Sequence, residues 1–156
     1  MLFELIYHFV FSFLASISFG ILCRIPRETI VAGGIVGASG WIGYWLLSTH
    51  GYNVFVTSFV CSLILSTLSY FYSYWRKYPS TVFFIPGLVP VVPGITFYEV
   101  FKELFTGDKI AAAASFFDVI SSAVALACGI TIGNMLFLLV KQLFSKTFSR
   151  QKIETK

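Results

Sequence analysis

The sequence predicts an all-α integral membrane protein of about five transmembrane helices, the fourth broken by a Pro/Gly motif. Three observations carry that expectation. The chain is 57% hydrophobic and 12% charged, with mean hydropathy +0.84, whereas a soluble domain is about half apolar and a quarter charged. Its charges cluster and leave long uncharged runs, each near the roughly 20 residues that a helical span requires. Finally, three prolines and two glycines fall within ten residues, Ile85-Pro86-Gly87-Leu88-Val89-Pro90-Val91-Val92-Pro93-Gly94, inside one of those runs.

The spans follow in order as 3–22, 30–47, 54–74, 81–101 and 110–140, with a basic tail at 141–156. Together they form a single transmembrane domain over residues 1–156 and leave no stretch for a separate soluble domain. The first span ends at Arg24 and Arg27. The second ends in Ser48-Thr49-His50-Gly51-Tyr52-Asn53, which contains no Lys or Arg. The third closes on Trp75-Arg76-Lys77, where Tyr70, Tyr72 and Tyr74 complete an interfacial aromatic belt. The fifth run, about 45 Å long if helical, exceeds the hydrocarbon core. It must therefore tilt, kink near Gly129 or Gly133, or begin as an interfacial turn.

Alternation of the basic loops sets the orientation. Cytoplasmic loops collect Lys and Arg. With the N-terminus outside, Arg24, Arg27, Arg76, Lys77 and the tail's Lys141, Lys146, Arg150, Lys152 and Lys156 all face the cytoplasm. Of the eleven basic residues only Lys102 and Lys109 face out, among Glu103 and Asp108. This arrangement requires the proline-rich run to cross rather than fold back. The net charge of +4 is thereby read as topological, and no nucleic acid is implied.

The N-terminus lacks a basic n-region and a small-x-small cleavage site, so a cleaved signal is not expected. Cys23, Cys61 and Cys128 are scattered, and read as small hydrophobes rather than as a metal or disulfide framework. No cofactor or metal is expected. No catalytic triad or phosphate loop is present, and an enzyme is not indicated.

Irregular backbone at membrane depth is tolerated where protein buries it or where it lines a polar cavity. Pro86, Pro90 and Pro93 fall on one face of a helical reading and leave the carbonyls of Val82, Pro86 and Val89 without intrahelical partners. Such carbonyls can coordinate a substrate ammonium, and a helix restarting after Gly94 aims N–H dipoles at an anion. Pro86, Gly87, Pro90, Pro93 and Gly94 are therefore substrate-binding candidates. The structural reading of the same residues is a kinked packing helix. Asn134, deep in the fifth span, can donate and accept at once and joins the binding candidates, with interhelical hydrogen bonding as its alternative.

A carboxylate in mid-span costs about 2.5–3.5 kcal/mol, which makes Asp118 and Glu99 candidates for proton coupling. Their alternative is a solvated place at the outer interface. Glu4 and His8 stand one turn apart near the outer end of the first span. In the second span Gly33, Gly37 and Gly40 form a small face suited to close helix packing.

The glycine-rich span ending in Gly40-Trp41-Ile42-Gly43-Tyr44, together with Ile85-Pro86-Gly87 through Val92-Pro93-Gly94 and Tyr98, resembles the threonine/serine exporter family. The likeness covers nearly the whole chain and is similar to the smaller subunit of the split form, the C-terminal half of single-chain exporters. The resemblance implies export of threonine and serine, or of dicarboxylates in some split pairs. It also implies a larger membrane subunit as partner in a hetero-oligomer, with a homo-oligomer as the alternative. Pro86, Gly87, Pro90, Pro93 and Gly94 match the family motif. The expected function is that of a secondary-exporter subunit at the cell membrane, proton-coupled. The competing expectations are a non-transporting assembly subunit that stabilises a partner transporter, and a channel.

Overall fold

The computed structural model describes residues 2–154, with side-chain surroundings described for residues 3–142. It contains six helices and, among the described residues, no strand: α1 Leu2–Leu22, α2 Arg27–Thr49, α3 Val54–Arg76, α4 Thr81–Leu88, α5 Gly94–Thr106 and α6 Lys109–Glu154. Four of them, α1, α2, α3 and the Lys109–Gln142 part of α6, are long and apolar enough to cross a membrane. An all-helical solution is what lipid demands, because a helix satisfies its own backbone donors and acceptors. Large apolar side chains remain widely exposed, among them Phe3, Phe71, Ile95 and Phe117, as expected of surfaces solvated by acyl chains.

Local chemistry sets the boundaries. α1 ends where Arg24 takes positive φ and the Ile25 N–H donates back to the Gly20 carbonyl at 3.2 Å. Pro26 then precedes α2, and Thr29 ties the first turn by donating from Oγ1 to the Pro26 carbonyl at 2.8 Å. α5 stops at Gly107, whose φ of 87° is the left-handed conformation that glycine adopts without a Cβ penalty. Asp108 caps α6 by accepting the Ala111 N–H at 3.0 Å. That helix runs unbroken to Glu154, past the expected span end at 140. The side chains of Lys146, Arg150 and Lys152, and all of Lys156, lie outside the described residues.

α1, α2 and α3 form an antiparallel set with α4 packed among them, and small residues set the spacing. A Cβ on Gly40 would touch Leu65 Cδ1 at 3.2 Å, and the Cys61 Sγ–H donates to the Gly40 carbonyl at 3.0 Å. The core is Ala32, Val36, Cys61, Leu65, Phe83, Val91 and Leu126.

The α3–α6 contact decides the topology. Ser62 lies against Gly129, Ser66 against Gly133, the Tyr70 ring stacks on Phe137, and the Lys141 ammonium sits over Tyr74. Each turn gained along α3 is a turn gained along α6, so the two helices run parallel. The connecting segment must therefore travel the length of the bundle, from the end of α3 back to the level of its start. α4 makes the first part of that journey. It runs antiparallel to α3, with Phe83 against Tyr72 and Gly87 against Leu65, and it ends at mid-bundle beside Gly37. With eight residues it rises only about 12 Å. After the break, α5 continues in the same sense along α6, which is its sole helical neighbour among the described residues.

Candidate functional site

The break lies between Leu88 and Gly94, at half the depth of α2 and α3. Proline at 86 sits within α4, whereas Pro90 and Pro93 lie beyond its end in turns. The helix is thus broken at the motif, as the sequence predicts, and the three prolines do not share one helix. The ladder gives way to short-range bonds: Val89 N–H to the Pro86 carbonyl at 3.4 Å, Val91 N–H to Leu88 at 2.9 Å, and Gly94 N–H to Val92 at 2.7 Å. The Pro86 carbonyl, expected to be free, accepts the first of these weakly. α6 contributes the opposite wall, because its small side chains leave room there.

The motif divides into two functions. Pro86 and Gly87 are buried and serve the packing of α4. The Pro86 ring meets Gly33 and Gly20, at 3.8 and 3.6 Å from where their Cβ atoms would be. A Cβ on Gly87 would meet Val36 Cγ1 at 3.2 Å and the backbone nitrogen of Gly37 at 3.3 Å, so the two backbones touch. Gly37 also faces Ser16, whose hydroxyl is fully buried without a hydrogen-bond partner. Gly33 and Gly37 therefore receive α4, and Gly40 receives α3.

Pro93 and Gly94 belong instead to a groove of about 450 Å³. Leu88, Val92, Pro93, Gly94 and Phe97 form one wall, and Val119, Ala123, Leu126, Ala127 and Ile130 of α6 form the other. Nothing lies within 4 Å of a Cβ on Gly94, so the backbone there faces open space at the start of α5. Every lining side chain is apolar, and the surface of the groove is almost wholly apolar, backbone included.

The remaining candidates do not line it. Pro90 is half-buried in the turn. Asn134 is half-buried on α6, one turn beyond Ile130. Glu99 and Asp118 are both exposed. Asp118 adjoins the lining residue Val119. At the same end, Trp41 donates from Nε1 to His8 Nδ1 at 3.4 Å and Trp45 packs over that imidazole.

Sequence reading missed the polar seam along α3. Ser58, Ser62, Ser66 and Ser69 are buried on one face, and Ser66 donates to the Ile130 carbonyl of α6 at 3.1 Å. The signal was present as serines at helical spacing opposite Gly129 and Gly133. Ser16 was missed as well, because nothing local distinguishes it.

Comparison with known proteins adds one match. The family model described as "Threonine/Serine exporter, ThrE" matches residues 8–136, a range that holds both the α4 packing site and the groove. No solved structure matches the chain.

Proposed function

Since the chain belongs to the threonine/serine exporter family, we propose that it is one subunit of a proton-coupled secondary exporter for threonine and serine or for small carboxylates. The observation that carries this reading is the interrupted segment at mid-bundle, which opens a groove against α6 beside an uncrowded Gly94. Discontinuous helices near the membrane midplane are how many secondary transporters present backbone groups to substrate. On this reading N–H groups at the start of α5 meet a carboxylate and carbonyls of the break meet an ammonium. Pro90, Pro93 and Gly94 then shape the binding backbone, Pro86 and Gly87 anchor it, and Asn134 lies one turn beyond the groove on α6 as a polar group on the substrate's path. Asp118 or Glu99 carries the proton.

The same groove argues for a partner. An ion leaving water costs several kcal/mol unless it is paired, and a zwitterion has two charges to place. No polar side chain lines the groove, and α5 packs on α6 alone among the described helices. A larger membrane subunit of the same family, covering α5, would supply the missing polar wall. We assign five crossings, near 3–22, 30–47, 54–74, 81–101 and 110–140, with the N-terminus outside and the C-terminus in the cytoplasm. The parallel course of α3 and α6 supports the fourth crossing, since it obliges 77–108 to run the length of the bundle.

The test is threonine uptake into inverted vesicles that contain the chain with its partner. A Pro90→Leu, Gly94→Leu double variant should lose uptake while assembling normally, because a Cβ at 94 meets no atom within 4 Å and the longer side chain fills the groove rather than the packed core. Undiminished uptake would remove the break from the site. Asp118→Asn should retain exchange of labelled for unlabelled substrate but lose acceleration by a proton gradient, and unchanged acceleration would dismiss Asp118 from coupling.

A further inference from the structure

The end of the bundle opposite Asp118 holds a second recess, of about 720 Å³, lined by Ser73, Tyr74, Trp75, Lys77, Tyr78, Pro79 and Lys141. We propose that it binds the phosphate of an anionic phospholipid, with the acyl chains lying along α3 and α6. The reading is independent of the transport site, rests on charge, shape and position, and takes its cytoplasmic placement from the orientation proposed above.

Charge comes first. Lys77 and Lys141 line the recess from two different parts of the chain, and Arg76 adjoins them with its guanidinium 5.0 Å above the Trp75 ring. Lys141 is held 5.5 Å over the Tyr74 ring. Among the residues at this end whose side-chain surroundings are described, the one carboxylate is Glu28, which accepts from the Tyr78 hydroxyl at 3.3 Å. The recess is therefore cationic, and Lys141 in its lining rests on an aromatic face.

The recess is also built rather than incidental. The chain reverses at Lys77, whose φ is 59°, and the Ser73 hydroxyl pins the reversed loop by donating to the Tyr78 carbonyl at 2.6 Å. Tyr78 is held in turn to the start of α2 through Glu28.

Position selects lipid over a soluble anion. Tyr74 and Trp75, both about two-thirds exposed, mark the interfacial level. Apolar Phe71, Met135 and Leu138 are exposed on the same two helices toward the bundle centre. A phosphate held by the lysines thus has an apolar surface beside it for its chains. Basic pockets between transmembrane helices at the cytoplasmic side suit anionic headgroups in this way.

The experiment uses the purified chain in neutral detergent with Trp41→Phe and Trp45→Phe, so that Trp75 reports alone. Phosphatidylglycerol brominated on its acyl chains should quench Trp75 saturably, unbrominated phosphatidylglycerol should compete, and brominated phosphatidylcholine should quench weakly. Lys77→Gln should weaken binding about fivefold, and Lys77→Gln with Lys141→Gln roughly 25-fold. Lys102→Gln with Lys109→Gln, at the other end, should change nothing. Native mass spectrometry of the unsubstituted chain should retain phosphatidylglycerol over phosphatidylcholine, which covers the case in which the tryptophan background fails to fold. Equal quenching by phosphatidylcholine would overturn the proposal. Displacement by inorganic phosphate would make this a soluble-anion site and also refute it. Undiminished binding in the double-lysine variant would move recognition to the basic residues beyond Lys141 and would refute it equally.

Discussion

Gly129 offers a quantitative test of the α3–α6 seam. A Cβ there would lie 2.6 Å from the Phe59 carbonyl oxygen, 3.1 Å from Ser62 Cβ, and closer still to Ser62 Oγ. Ser62 Oγ can rotate away, at the expense of its 2.8 Å bond to the Phe59 carbonyl. The carbonyl itself cannot rotate, because it belongs to the backbone of α3. Gly129→Ala must therefore push the helices apart by several tenths of an ångström, and because the clash is with backbone the cost falls in the upper part of the overpacking range, about 2–3 kcal/mol. Alanine recovers roughly 0.8–1 kcal/mol of helix propensity, leaving a net loss of about 1–2 kcal/mol. For a chain of this size that corresponds to a fall in Tm of about 2–8 °C, read from thermal unfolding in detergent.

Two further substitutions sharpen the result. Gly94→Ala meets nothing within 4 Å and should leave Tm unaltered, which excludes a general intolerance of added methyl groups. Ser62→Ala in the Gly129→Ala background removes the hydroxyl part of the clash and keeps the carbonyl part. The double variant should thus be less destabilised than the two single losses combined. A Gly129→Ala protein that melts with the parent would refute the close approach of α3 and α6, and with it the parallel register on which the fourth crossing rests.

Ser66→Ala, which removes the hydroxyl donated to the Ile130 carbonyl, should destabilise by about 0.6 kcal/mol, up to about 1.7. The loss is measurable by the same melting assay, and no loss would mean that the bond contributes nothing. A C-terminal reporter fusion should be active as green fluorescent protein and inactive as alkaline phosphatase, as a cytoplasmic end requires. The reverse pattern would overturn the five-crossing orientation.

Much of the architecture was legible without coordinates because lipid narrows the choices. Uncharged runs near 20 residues have to be helices, and α1, α2 and α3 fall on the runs that hydropathy picked out. The break was legible as well, since proline removes a donor wherever it stands. Less legible was how far each helix runs. α6 continues to Glu154 because nothing in its sequence stops a helix near 140, and a span boundary is a property of the bilayer rather than of the backbone. Asp118 and Glu99 stood out as charges in apolar runs, yet both are exposed, an outcome set by what packs against them rather than by their neighbours in sequence.

By itself, then, the sequence determined a membrane-embedded helical chain with an interruption between residues 86 and 94, because both features follow from local chemistry: the hydropathy of runs and the missing N–H of proline. Tertiary structure alone decided what each part of that interruption does. Pro86 and Gly87 are buried because α2 presents Gly33 and Gly37 at the one place where α4 can touch its backbone. Gly94 is open because α6 passes it at the width of a groove, held there by a seam of serine and glycine on α3 and α6. Those fits join residues far apart in the chain, and only the packed helices bring them into register.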